Sequence, residues 1–153
     1  MPDFESRLAQ LGLKLPDPAK PVANYIPAVR TGNLVFLSGQ VPLRNGQLIK
    51  AGTVPGAVSI EEARECARQC VLNALAALKA EIGSLDRVRR FVKVGVFVAC
   101  EHGFSDQPKV GNGASDLLAE IFGEAGKHAR AAVGVPALPL NAPVEVDFVV
   151  EVT

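Results

Sequence analysis

Tryptophan is absent from the 153 residues, and tyrosine and methionine each occur once. With seven phenylalanines as the rest of its aromatic complement, the chain offers a poor stacking platform for single-stranded bases. Net charge is missing too, since 16 Lys and Arg stand against 16 Asp and Glu. Neutralising a phosphate backbone takes clustered cations, so composition argues against nucleic acid as a principal partner. No apolar run approaches the ~20 residues that cross a bilayer. The opening Met-Pro-Asp-Phe-Glu-Ser-Arg-Leu does not read as a signal peptide, and the expectation is a cytoplasmic protein with no membrane partner. The three cysteines, Cys66, Cys70 and Cys100, contain no CxxC pair and leave one thiol over, which predicts free thiols in a reducing compartment. GxSxG, HExxH and P-loop patterns are all lacking, so serine-hydrolase, zincin and P-loop chemistry have no support.

What remains is 48% apolar and 21% charged, the composition of one globular domain spanning residues 1–153. A chain of this size buries ~68–70% of its unfolded surface and needs no disulfide, metal or cofactor merely to fold. Phe4, Leu8 and Leu11, ended by Gly12, predict an N-terminal amphipathic helix of about three turns, part of an extension over residues 1–15. Pro16, Pro18, Pro21 and Pro27 then force an extended crossing that carries Asn24 and Tyr25. Ala28 to Thr31 and Leu34 to Ser38 flank Gly32-Asn33 and read as a β-hairpin. Gly39 to Gly56 is turn-rich, with room for one more short strand or loop.

The strongest periodicity runs from Ser59 to Gly83, where Ile60, Ala63, Ala67, Val71, Ala74, Leu75, Leu78 and Ile82 share a helical stripe. Ser59 with Glu62 forms a capping box, and Gly83 suits a left-handed C-terminal position. Arg87 to Cys100 reads as a strand buried on both faces for much of its length. A second helix is expected from about Gly113 to Gly123, then strands at Arg130 to Val135 and Val144 to Val152. In the last strand Val144, Val146, Phe148, Val150 and Val152 share one face, and Glu145, Asp147, Val149 and Glu151 the other. The order implies an α+β fold with a mixed sheet and its two helices on one face. The other face is short of cover, and a second copy of the chain would supply it.

Cys66 and Cys70 lie one helical turn apart, but a zinc site takes three or four ligands. Neither His102 nor His128 stands at a recognised spacing from them, so no metal site is expected and buried structural thiols are. His102, in Glu-His-Gly, reads as a surface-loop residue. Acid–base work is left to carboxylates, Arg or Tyr. Arg130 heads an otherwise apolar strand, either as a strand-end charge or as a guanidinium placed for a planar anion. Glu145 is either an ordinary solvent-side residue or a working carboxylate.

A resemblance bears on both. Tyr25-Ile-Pro-Ala-Val-Arg-Thr-Gly-Asn-Leu-Val-Phe-Leu-Ser38-Gly39-Gln40 is similar to the opening signature of the YjgF-like (Rid, reactive intermediate deaminase) family. Ala129-Arg130-Ala-Ala-Val-Gly-Val-Pro-Ala-Leu-Pro139, followed by Val144-Glu145-Val146, resembles its closing signature. Asn73 on the long helix and Gly83-Ser84-Leu85 fall between them, so the resemblance covers residues 25–152. It implies a chorismate-mutase-like fold, a homotrimer with a barrel-like core, and a cleft for a small carboxylate-bearing metabolite at each subunit interface.

In the family the arginine matching Arg130 binds a substrate carboxylate, and the glutamate matching Glu145 positions or activates water. Tyr25, Ser38 and Gly39 then line the pocket, backbone around Ala132 completes it, and Asn112 is the candidate for the family asparagine. The implied reaction is hydrolysis of amino-acid-derived enamines or imines to 2-oxo acids and ammonia, with no cofactor. The alternatives are a non-catalytic protein that binds 2-oxo acids and, through the L-PSP endoribonuclease label attached to parts of the family, an RNase. Two positions depart from the best-studied deaminase branch: Ala132 and Gly134 replace a cysteine and an acid, which predicts a wider and less polar pocket wall. Gln107-Pro108-Lys109 reads as an extra stretch before the second helix.

Overall fold

The computed structural model describes residues 2–18, 20 and 23–153; Pro21 of the proline-rich crossing lies outside them. The first helix, α1 (Phe4–Gln10), makes two turns rather than three. Gly12, at φ 68°, turns the chain after it. Leu8 is buried, and the Phe4 ring meets Phe122 edge-on at 4.7 Å. Strands β1 (Ala28–Thr31) and β2 (Leu34–Gln40) form the expected hairpin, with Gly32 at φ 58° opening its two-residue turn. The turn-rich stretch holds a second, very short hairpin, β3 (Leu43–Arg44) and β4 (Gln47–Leu48). Asn45 and Gly46 both take positive φ there, the Asn-Gly preference of a type I′ turn.

Helix α2 (Ile60–Ile82) begins and ends where its capping chemistry dictates. The Glu62 amide donates to Ser59 Oγ, and the Ser59 amide donates to Glu62 Oε1, both at 3.1 Å. Gly83 takes φ 87°. Strand β5 (Val88–Ala99) is buried on both faces only in its second half; Arg89, Arg90 and Lys93 are exposed.

Helix α3 (Gln107–Phe122) starts six residues before the Gly113 that the sequence suggests. Gln107-Pro108-Lys109 is therefore its first turn, not an added loop, and proline is tolerated there because the first amides of a helix lack intrahelical acceptors. Gly111 and Gly113 weaken helix propensity by roughly 1 kcal/mol each, yet both stay helical because neighbours press on them. A Cβ at Gly113 would overlap the Arg64 carbonyl of α2, and one at Gly111 would stand 3.1 Å from the Arg130 guanidinium.

Strands β6 (Ala129–Val135) and β7 (Val144–Val152) complete a five-stranded sheet in the order β1-β2-β7-β5-β6. Only the β5–β6 pair is parallel. The fold is thus a mixed α+β arrangement of one main sheet and three helices. Helices α2 and α3 cover one face, where Val144, Val146, Phe148, Val150 and Val152 of β7 join Leu75, Leu78, Phe91, Leu117 and Leu118 in the core. Each such side chain contributes about 1.5–3 kcal/mol on burial. The opposite face leaves Val29, Phe36 and Val133 about half exposed, at 51%, 45% and 45%. Among the described residues no helix is long and apolar enough to cross a membrane.

Replacing Gly113 by Ala should force α2 and α3 apart and lower stability by about 1–3 kcal/mol, measured by urea denaturation. A change under about 0.5 kcal/mol, the size of an ordinary surface substitution, would mean the helices give way freely at this crossing.

Candidate functional site

Strand β6 is an edge strand, and its register with β5 decides which side chains face the helices. Arg130, Ala132 and Gly134 pair with Val94, Val96 and Val98, all core residues, so these three positions look toward α3. Arg130 reaches the first half of α3 and is held there. Its Nη1 donates to Asn112 Oδ1 and to Ser115 Oγ, each at 3.0 Å, and its Nη2 donates to the Pro108 carbonyl at 3.4 Å. Gly111 is what lets the guanidinium come this close to the helix. Ser115 Oγ also lies 2.9 Å from His128 Nε2, and His128 Nδ1 lies 2.6 Å from the Gly126 carbonyl.

Ala132 follows along the same wall. At Gly134 the space is filled rather than empty: a Cβ there would come within 2.6 Å of Cys100 Sγ and 2.8 Å of Gln107 Nε2. Gln107 is fixed by donating to the Phe104 carbonyl at 2.7 Å. The wall is therefore narrower and more polar at Gly134 than the sequence predicts, because the supposed extra stretch folds as helix and brings its amide in.

A second group of the predicted residues gathers across the sheet. Tyr25 is 56% exposed in the segment leading to β1. Ser38 braces that segment: its hydroxyl donates to the Ile26 carbonyl at 2.7 Å and its amide to Pro27 at 2.8 Å. The Glu145 carboxyl lies over Gly39, where a Cβ would approach it to 3.0 Å. Glu145 pairs with Phe97 in the register and points to the open face, as does Asp147 beside Gly95. A side chain at Gly95 would collide with the Asp147 carboxyl.

Burial, and secondarily the negative charge of Asp147, push the Glu145 carboxyl above its usual range. Asp147 is also raised by burial, against a lowering hydrogen bond from the Gly95 amide. Each glycine thus provides the hollow in which a half-buried carboxylate sits.

The structure brings Arg130, Asn112 and Ala132 into one group and Tyr25, Ser38, Gly39 and Glu145 into another. Within one chain the two do not meet. Arg130 projects from the helix side of β6 and Glu145 from the open side of β7, two strands away, or roughly 10 Å in the sheet plane. Ser115 and His128 are the participants that sequence reasoning missed. A signal existed for His128, which stands two residues before Arg130 and so on the same side of an extended chain.

Cys66 and Cys70 lie buried in α2, with the Cys66 thiol pushed up to about 12, mainly by burial. Among the described residues no group of three or more His, Cys, Asp or Glu could hold a metal.

Comparison with known proteins adds an independent line. Residues 5–152 match the family model described as "YjgF/chorismate mutase-like, putative endoribonuclease". Protein TCP17 of Trypanosoma cruzi is 43% identical over 147 residues, covering 95% of this chain and 92% of that protein. A 2-iminobutanoate/2-iminopropanoate deaminase of Dermatophagoides farinae is 32% identical over 133 residues, covering 86% and 88%. Among solved structures, a protein of unknown function from Agrobacterium tumefaciens superposes with a TM-score of 0.89 at 43% identity, covering 97% of this chain and 91% of that one.

The raised carboxyls have a thermodynamic sign. A folded-state pKa above the unfolded value contributes stability that is fully present below the unfolded pKa and is lost as pH rises through the folded one. Followed by side-chain carboxyl NMR, Glu145 should titrate above the ordinary glutamate range. Asp147→Asn should lower that midpoint only in part, since burial remains; a midpoint indifferent to Asp147→Asn would remove the charge coupling.

Proposed function

Because the chain belongs to the YjgF/chorismate mutase-like family, we propose that it hydrolyses amino-acid-derived imines and enamines to 2-oxo acids and ammonia. The observation that carries this reading is the state of Arg130. Its Nη1 is committed to Asn112 and Ser115 and its Nη2 makes one long contact to Pro108, while Nε–H and the other Nη2 hydrogen, at the free edge of the sheet, are available to a planar anion. A 2-imino acid has a carboxylate next to an electrophilic C=N carbon. Binding the carboxylate at Arg130 fixes where that carbon stands.

Water attack needs a base, and Glu145 suits the task because its raised proton affinity makes its carboxylate a better acceptor than an exposed glutamate. Glu145 takes a proton from water as oxygen bonds to the imine carbon, whose π electrons move to nitrogen. Glu145 returns that proton to the nitrogen to give a carbinolamine. The hydroxyl proton then passes to the nitrogen as well, the C–N bond breaks with its electron pair leaving on ammonia, and the oxygen becomes the carbonyl of the 2-oxo acid.

The separation of Arg130 and Glu145 in one chain supports a cleft shared between copies, with Arg130, Asn112 and Ala132 from one subunit and Tyr25, Ser38, Gly39 and Glu145 from the next. A homotrimer whose open sheet faces meet in a barrel-like core covers Val29, Phe36 and Val133 at the same time. The free thiols fit a reducing compartment, and we assign the protein to the cytoplasm.

The test generates the imine in place with an amino-acid oxidase and follows ammonia release. Wild-type protein should accelerate it, and Arg130→Ala should lower kcat/KM by about 100-fold or more, the cost of losing reactive placement, with the assembly unchanged by sedimentation. Glu145→Gln should lower kcat by ~10²–10⁴ while 2-oxo acid binding persists. Full activity in Arg130→Ala would overturn the reading, and 2-oxo acid binding without turnover of any imine would make the protein a metabolite-binding one.

A further inference from the structure

Arginine side chains are long, and holding one in a single orientation costs about 2 kcal/mol of rotamer freedom. Around Arg130 the donors and acceptors form a directed chain. The Gly126 carbonyl can only accept, so His128 Nδ1 must carry a hydrogen and donate to it, at 2.6 Å. In the neutral ring this leaves Nε2 as an acceptor. The Ser115 hydroxyl, at 2.9 Å, therefore donates to Nε2 and turns its lone pairs toward Arg130 Nη1, 3.0 Å away. The end of this chain is rigid: Gly126 is buried, and a Cβ on it would overlap the Leu118 carbonyl of α3. His128 immediately precedes β6 and Arg130 is its second residue, so the arginine and the ring that orients its partner are two positions apart on one extended run of chain.

We propose that Ser115 and His128 are positioning residues that set which edge of Arg130 meets the substrate, and that this edge selects a carboxylate bound side-on. The five guanidinium hydrogens divide as follows. Both on Nη1 are used, by Asn112 and Ser115, and Nη2 gives one weakly to Pro108. Among the described residues Nε–H and one Nη2–H remain free. Nε–H runs parallel to the adjacent Nη2–H on the side of the guanidinium, at the spacing of the two oxygens of a carboxylate, and only the long 3.4 Å contact to Pro108 draws on Nη2. The 2-oxo or 2-imino acid already proposed as the ligand then lies with its carboxylate flat against that edge. The inference rests on the role of Arg130 proposed above.

The test measures 2-oxobutanoate binding by titration calorimetry, together with steady-state kinetics on the oxidase-generated imine. Ser115→Ala and His128→Phe should each weaken binding about 10-fold, the scale of one hydrogen bond to a charged group. KM should rise in parallel with kcat kept within about twofold, because the interaction is made in ground and transition states alike. Ser115→Thr, which keeps the hydroxyl, should retain wild-type binding. Since His128 acts only through Ser115, the double variant Ser115→Ala/His128→Phe should be no worse than Ser115→Ala alone. Long-range proton–nitrogen NMR should show the Nδ1–H tautomer of His128, with Nε2 shifting in Ser115→Ala.

Binding lost in Arg130→Ala but intact in Ser115→Ala would overturn the positioning role and leave the anchor standing. Fully additive losses in the double variant would overturn the ordered chain. Unchanged binding in Arg130→Ala would remove the anchor itself, and the positioning role with it.

Discussion

Two helices lie on one face of a five-stranded sheet, and nothing of the described chain covers the other. The placement of both groups of candidate residues follows from that asymmetry. β7 runs between β2 and β5 near the middle of the sheet, so its alternation is enforced on both sides. Val144, Val146, Phe148, Val150 and Val152 must go into the core, and Glu145, Asp147, Val149 and Glu151 must go to the open face. A one-residue slip would put four of these outward positions into an apolar interior, three of them charged, at a cost far above the stability of an ordinary domain. The position of Glu145 is thereby as firmly set as that of any core valine.

The open face is not a uniform surface. Gly39 and Gly95 lack side chains where Glu145 and Asp147 come to rest, and their absence lets carboxylates withdraw from water into the pleat. Partial burial raises both carboxyls. Around them stand Val29, Phe36 and Val133, apolar enough to favour association over hydration. In the proposed assembly, burial of these side chains and completion of the cleft are one event, which links catalysis to oligomerisation.

On the other side, Arg130 depends on a helix whose sequence is poor for helix formation. Gly111 and Gly113 occur within seven residues of the α3 start, and Pro108 is in its first turn. Their value lies in contact: Gly113 admits the α2 backbone, and Gly111 admits the guanidinium. Larger residues would improve the local propensity and push α3 off the surface it serves. The gap expected at Gly134 closes for a related reason, because the turn containing Gln107 packs inward and places an amide and the Cys100 thiol against the glycine.

Much of this architecture is determined locally. The capping box of Ser59 and Glu62, the glycine after Ile82, the hairpin turn at Gly32 and the two-residue period of β7 are short-range signals, and each acts through atoms a few residues apart. They are readable without a structure. Arg130 and Glu145 stood out as charges beside apolar stripes, but the residues alone left an ordinary reading open for each, and only the family resemblance proposed a role. The start of α3 was not readable, since glycine and proline there oppose helix and only tertiary packing reverses their effect. The pairing of Arg130 with Asn112 and Ser115 was equally hidden, because it joins residues 15 and 18 positions apart whose meeting depends on how α3 crosses β6. Sequence alone determined which side chains are buried and which charges stand out, for periodicity and capping are local physics. The tertiary structure alone decided that Arg130 and Glu145 lie on opposite faces and that a serine and a histidine orient the arginine, because those relations arise from sheet order and helix packing across long separations.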